Sequence, residues 1–367
     1  GLVVGRYQVF PARLVPPMQM QAFHLAARSP FHLGERGVGL EATGVIAHAD
    51  TLFSALCTIC REWYGLETLE GLVTAFGNEP PFRLSSAFPY VALHDRMIRL
   101  YPRPRTLPPG MPPDDQAAIK RVKKVEYVSE SVFKRWAAGD ASLRDEVPQS
   151  KLDSPHLLQE GQVWVSRQEA KDLCLEFTPD NEGHIWLWRV DEVPRVTVDR
   201  STSASAVYRA GRARFAPGGG LWVAFQWLTD EWYPTIQELL EVLGDAGLGG
   251  ERSAGHGQYT VTGSEWVDLP DPTARFVTLA PYWPPNQEEA AAALGQDAAY
   301  ALLMRRGWMG SPDGRSLRRK AVRMLAEGSV LNMPDNPAPG GLVDVTSDAF
   351  SAHPVYRYGY ALPVGFS

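Results

Sequence analysis

The chain has 367 residues, of which 44% are hydrophobic and 10% aromatic, with 33 Gly and 30 Pro. That length suits two ordinary domains, the apolar content excludes a disordered chain, and the glycines and prolines imply many turns and long connections. A net charge of −6 excludes a globally basic nucleic-acid binder, so any basic surface has to be local.

Three cysteines (Cys57, Cys60 and Cys174) are too few and too uneven for a disulfide framework, which fits a reducing cytoplasm. No run of 18 apolar residues points to a membrane span, and the opening "GLVVGRYQVF" lacks a signal-peptide plan. Most of the 36 basic residues are Arg, the side chain suited to phosphate forks and to stacking on bases.

In chain order, "MQMQAFHLAA" (18–27) alternates loosely and predicts a strand. A Gly-containing loop follows, and then "HADTLFSALCTICREWYG" predicts a helix. Asp50 reads as its N-cap, and Leu52, Phe53, Leu56, Ile59, Cys60 and Trp63 as one apolar stripe ended by Gly65. Cys57 and Cys60 share a face of this helix, and with no second Cys/His pair their CxxC spacing reads as packing rather than a metal site.

"PRPRTLPPGMPPDD" excludes regular structure. A short helix is expected from Ser129 to Gly139, and residues 140–183 read as irregular apart from "GQVWVS". The whole stretch of about 95–195 reads as an insertion rather than core, entered through Lys120, Arg121, Lys123 and Lys124.

"PRVTVDRSTSASAVYRAGRARF" has strand-like ends around a small-residue loop. "GLWVAFQWL" is a strand, "EWYPTIQELLEVLGDAG" an amphipathic helix, and "QYTVTG" a last strand. The order strand, helix, strand, strand, helix, strand is the βαββαβ plan of a ferredoxin-like domain over residues 1–268. From 269 to 367 the pattern restarts, as a second, degenerate copy would. The expected fold class is α+β: tandem ferredoxin-like (RRM-like) domains, the first carrying a large thumb-type insertion.

Three groups of residues are candidates for function. "GLGGERSAGHGQY" (247–259) has five glycines among thirteen residues. Either it is a slack helix-to-strand connection, or its backbone is shaped around a ligand. In the second case the amides of Gly249, Gly250, Ala254, Gly255 and Gly257 form a nest, Arg252 supplies a phosphate fork, Ser253 a hydroxyl, and His256 a donor or stacking ring. No GK[ST] follows and the loop leads into a strand, which excludes a P-loop. In a ferredoxin-like unit this loop should face the start of the first helix, at His48, Asp50 and Thr51. Glu35 and Arg36 belong to the same neighbourhood.

The second group is Arg195 to Arg214, with Asp199 its only acid and no acid from Arg200 through Thr229. Arg200 with Ser201, Thr202 and Ser203 is its candidate contact segment for a phosphate backbone. The third is "GRSLRRKAVR" (314–323), read equally as a contact surface or as a strand edge guarded by charge. Trp308 is expected to be buried. No metal-ligating set or cofactor motif stands out.

Gly247-Leu248-Gly249, five residues, then Gly255-His256-Gly257 resembles the glycine-rich loop of the RAMP superfamily of CRISPR systems. "SPFHLGERG", "HADTLFSALC", "SSAFPY", "KKVEYVSESVFKRW", "VTVDRSTSASAVY", "RGWM", "EGSVL" and "VYRYGYALPV" fall in the order of the Csm subunit-four family of type III-A effector complexes. After Asp199-Arg200 the chain departs from that family's apolar residue and Gly, having a Ser/Thr/Ala run instead.

The resemblance implies a non-catalytic cytoplasmic subunit without cofactor that caps the complex and holds the 5′ handle of the CRISPR RNA. It also implies docking to the large polymerase-like subunit and to the first backbone RAMP subunit, and meeting target RNA indirectly. The alternative is a repeat endoribonuclease with a His as general acid or base, for which His24, His32, His48 and His256 are conceivable. A third reading is a small-molecule enzyme whose Gly-rich loop takes a nucleotide phosphate.

Overall fold

The computed structural model describes residues 19–34, 43–93, 96–148, 156–173, 186–198, 205–309 and 317–367. It begins with β1 (Gln19–Ala27), α1 (Ala49–Tyr64), α2 (Leu66–Asn78), β2 (Phe82–Leu84), β3 (Phe88–Leu93) and β4 (Arg96–Pro102). Then come α3 (Gln116–Lys124), β5 (Tyr127–Ser129), α4 (Glu130–Ala137), β6 (Leu157–Leu158), β7 (Val163–Trp164) and α5 (Arg167–Asp172). Next are β8 (Trp188–Val198), β9 (Ser205–Phe215), β10 (Gly220–Trp227), α6 (Tyr233–Ala246) and β11 (Tyr259–Asp268).

One nine-stranded sheet organises these elements, in the order β11-β1-β10-β3-β4-β5-β7-β6 with β2 also on β10. Strand β1 runs antiparallel between β10 and β11. All eight residues of β10 are buried, which is why an apolar run rather than an alternating one encodes it. Helix α6 lays Ile236, Leu239, Leu240 and Leu243 on the sheet. Helix α1 does the same with Leu52, Phe53, Leu56, Ile59 and Cys60, and ends at Gly65, whose φ of 95° favours glycine.

Several expectations need correction. Residue 48, not Asp50, occupies the N-cap of α1, and the first helical amide, that of Ala49, is satisfied by Ser86 Oγ at 2.9 Å. Trp63 lies off the apolar stripe and is exposed. Residues 96–173 are inserted between β3 and β10 but are not outside the core: β4, β5, β7 and β6 extend the sheet. Leu100, Tyr101, Phe133, Trp136 and Trp164 are fully buried in the same apolar cluster as β1 and α6. The element that leaves the sheet is the β8–β9 ribbon, whose two strands pair with each other and meet the segment past β1 through an isolated bridge at Ala213; residues 199–204, between the two strands, lie outside the described residues.

The C-terminal region contains β12 (Arg275–Thr278), α7 (Gln287–Ala293), β13 (Leu302–Arg305), β14 (Val322–Leu325), β15 (Val330–Asn332), β16 (Leu342–Asp344), β17 (Tyr356–Tyr358) and β18 (Pro363–Gly365). These strands form a three-stranded sheet (β15-β12-β18) and two hairpin-like pairs, β13-β14 and β16-β17. Helix α7 is only seven residues long, and Trp308, expected to be buried, is exposed, with the Arg318 guanidinium 4.9 Å from its ring centroid. The molecule is a mixed α+β protein. Among the described residues no helix is long and apolar enough to cross a membrane.

Candidate nucleic-acid interface

The Gly-rich loop is a built structure. Gly247 ends α6 with a φ of 87°. Residues 252–254 then form a single 3-10 turn between two left-handed residues, Glu251 (φ 56°) and Gly255 (φ 80°). A Cβ at Gly249 would run into the carbonyl oxygen of His32, and one at Gly257 into that of Leu248. Both glycines also have φ values of 99° and 81°, so close approach and backbone conformation require glycine together.

The loop's amides are mostly used to seat it, which corrects the expectation of an open nest. Gly250 N–H donates to the His32 carbonyl at 2.9 Å, and Gly257 N–H to that of Pro30 at 2.8 Å. The N–H groups of Ala254, Gly255 and His256 close the internal turn on Glu251 and Arg252. The glycines thus press the loop onto residues 30–33, just past β1, and lift Arg252, Ser253, Ala254 and Gly255 outward, all four exposed.

The ribbon joins the same place. Phe31 bridges Ala213, and the buried His32 ring holds the Gly211 carbonyl through Nδ1 at 2.7 Å. Tyr208 donates its hydroxyl to Glu251 at 3.4 Å, and Arg195 Nη2 lies 3.2 Å from His256 Nε2. Burial, followed by the Arg195 guanidinium, lowers the pKa of His256 below the ordinary imidazole value. A neutral ring accepts from Arg195 through Nε2, so the histidine is buried in the loop while also orienting a cation.

The arginine zone is less positive than composition implies. The ribbon's register sets Asp191 opposite Arg212. Asp191 pairs with Arg212 at 2.6 Å and with Arg214 at 2.9 Å, and Glu192 with Arg209 at 3.4 Å. The two acids just before Arg195 therefore pair with three of the five arginines and offset two of their charges, and Arg195 is the one turned to the loop.

Other candidates lie elsewhere. His48 and Asp50 do not face the loop but the C-terminal region. His48 Nδ1 is 2.6 Å from Glu327 Oε1, and Ser86 Oγ donates to the same oxygen. Asp50 is 2% exposed and pairs with Arg305 at 3.0 Å and with Arg357. Burial alone would raise its pKa; the two guanidinium groups outweigh that and hold the carboxyl well below its usual range. Thr51 accepts from Arg305 at 2.8 Å. Asp50 and Thr51 are thus engaged with Arg305, and His48 with Glu327, rather than with the Gly-rich loop that they were expected to face.

Lys123 and Lys124 sit exposed in the last turn of α3, which leads into β5 on the side of the sheet away from β11. Glu35, Arg36, Arg200, Ser201, Thr202 and Ser203 lie outside the described residues. Cys57 and Cys60 remain thiols, with burial pushing Cys57 up to about 12. Among the described residues no group of three or more His, Cys, Asp and Glu could hold a metal ion. Sequence reasoning passed over Tyr208, Glu251 and the seat at residues 30–33; only the pairing register of β8 with β9 could have signalled the first of these.

Residues 271–366 match the family model for the CRISPR Csm4 C-terminal domain. Over 336 residues the chain is 27% identical to the CRISPR system Cms protein Csm4 of Mycobacterium tuberculosis, covering 90% of this chain and 93% of that protein. It is 25% identical over 332 residues to the protein of the same name in Thermococcus onnurineus, covering 87% and 91%. The fold is similar to a chain of the Csm3-Csm4 subcomplex of a type III-A CRISPR-Cas interference complex, with TM-score 0.64 and 18% identity over 95% of this chain and 100% of that one. It is also similar to a chain of a Csm1-Csm4 cassette in complex with cA4, with TM-score 0.55 and 20% identity over 95% and 98%.

Proposed function

We propose that this chain is a Csm4-type subunit of a CRISPR Csm complex, the non-catalytic subunit that anchors the 5′ handle of the CRISPR RNA; its match to the Csm4 C-terminal domain and its similarity to Csm4 proteins over most of its length support this. In this reading it caps a type III-A complex in the cytoplasm, docks the large subunit and the first backbone subunit, and meets target RNA indirectly. Two ferredoxin-like units, 1–268 and 269–367, carry the role, the second reduced.

One observation carries the RNA assignment. The Gly-rich loop is clamped on residues 30–33 and on the ribbon, while its turn 252–255 is raised into solvent. A rigid seat with an outward Arg252 and Ser253 and an oriented Arg195 suits a phosphodiester backbone, because phosphate contacts set the register of a bound strand. Arg200, Ser201, Thr202 and Ser203 stay in the proposed contact set on sequence grounds, as a basic and hydroxyl-rich segment suited to a phosphate backbone.

The nuclease alternative loses ground for a physical reason. General acid–base work needs a His within reach of a substrate proton. His32 holds a carbonyl, His48 holds Glu327, His256 accepts from Arg195, and His24 lies between Arg99 and Glu265; all four are buried.

The test is incubation of the purified chain with labelled handle RNA in the presence of a chelator. The expected result is a retarded, intact RNA. Cleavage that disappears in a His48→Ala or His256→Ala variant would replace this reading with the nuclease one.

A further inference from the structure

The strand β13 leaves its outward face bare. Tyr300, Leu302, Met304 and Trp308 are 47%, 58%, 37% and 51% exposed, at positions separated by even steps along one extended segment. Leu303 and Arg305 take the inner side, where Arg305 is buried against Asp50. Solvent-exposed apolar side chains are common singly; here Leu302 and Met304 share one face of β13, with Tyr300 just before the strand and Trp308 just after it, and together they make a patch.

The strand also has an open edge. Residues 299–308 pair on one side only, with Val330, with β14 and with Arg318, and among the described residues the other edge has no ladder partner. An open, apolar edge of this kind is a template for another strand.

Charge narrows the occupant. From Ala298 through Ala326 the chain has a single acid, Asp313, against six Arg and one Lys. Arg323 stands opposite Met304 in the register and is exposed, as are Arg306 and Arg318. A second copy of this strand would bring like charges together. RNA would match the charge but not the aliphatic Leu302 and Met304, which offer no stacking surface, and the Trp308 ring is already covered by Arg318.

We propose that the outer face and edge of β13 dock a protein strand with apolar side chains flanked by carboxylates, contributed by a neighbouring subunit. This rests on the reading of the chain as a subunit of an RNA-bound complex. The geometry is strand addition: main-chain pairing along β13, apolar contacts with Leu302 and Met304, and carboxylates against Arg306 and Arg323.

The experiment uses the full chain, purified alone, with the large subunit and the first backbone subunit of its own complex each purified as separate probes. A Leu302→Glu/Met304→Glu variant removes the apolar surface and repels an acidic strand; Trp308→Ala serves as the milder change. The expected result is at least about ten-fold weaker binding of the double variant to one of the two subunits. Its thermal midpoint and its affinity for handle RNA stay at wild-type values. Unchanged binding to both subunits overturns the proposal. So does a loss confined to RNA binding, or conversion of a wild-type dimer into monomers. Failure of the wild-type chain to bind handle RNA would count against the proposed function instead, since the subunit arms are read independently.

Discussion

Two polar clusters of this molecule were expected to form one site, and they turn out to be built on opposite principles. At the start of α1, polar side chains are buried: Asp50 between Arg305 and Arg357, and His48 against Glu327. At the Gly-rich loop the backbone is buried and the charge is outside: glycines fit under neighbouring carbonyls, and Arg252 is exposed. The first cluster ties the N-terminal sheet to the C-terminal region. The second holds a flexible type of side chain on a rigid base. Buried ion pairs are poor places for a ligand, because an incoming group has to displace partners already desolvated; an exposed cation on a clamped turn has nothing to displace.

The largest expected effect breaks the first cluster. Asp50→Ala strands two buried guanidinium groups and should cost about 3–5 kcal/mol in denaturant unfolding, with the loss showing in the C-terminal region as well. The same carboxylate predicts an acid limb. Its folded pKa is depressed below the usual 3.8, so the unfolded chain takes up the proton first. The stabilisation is complete above that value and is lost as pH falls through the folded pKa. An Asp50→Asn variant should flatten this limb of the stability–pH curve.

Next comes the seat of the loop. Gly257→Ala places a Cβ against the Leu248 backbone at a φ of 81°, and should cost about 1–3 kcal/mol while weakening handle RNA binding. Gly255, also left-handed but with open space around its Cβ position, should tolerate Ala better, and the pair separates crowding from conformation. A smaller effect is expected at His256→Leu. It keeps the buried volume but frees Arg195, so RNA affinity should drop severalfold with the melting temperature held. Equal RNA binding by the His and Leu forms would remove the positioning role of His256.

The legible parts of the fold were those with long, one-sided patterns. Helix α6 and strand β10 announce themselves through Leu239, Leu240 and Leu243 and through the apolar run from Leu221 to Phe225. Strands β5, β6 and β7 are two or three residues long, below the length at which a period of two can be recognised, so the inserted region reads as loop although it carries Trp136 and Trp164 into the core. The position of the Gly-rich loop past β1 followed from strand order. Its true neighbours did not, because Asp50 finds partners 255 and 307 residues away, and no local pattern encodes such a pairing. The paired arginines teach the same lesson: Asp191 and Arg212 become partners only when the ribbon's register is known.

The central claim, that the raised turn of the Gly-rich loop contacts an RNA backbone, is tested most directly by the salt dependence of handle RNA binding in wild type and Arg252→Ala. The account predicts about ten-fold weaker binding for the variant and a slope of log affinity against log salt that is smaller by about 1, with unfolding unchanged. Identical affinity and slope for the two proteins would contradict it.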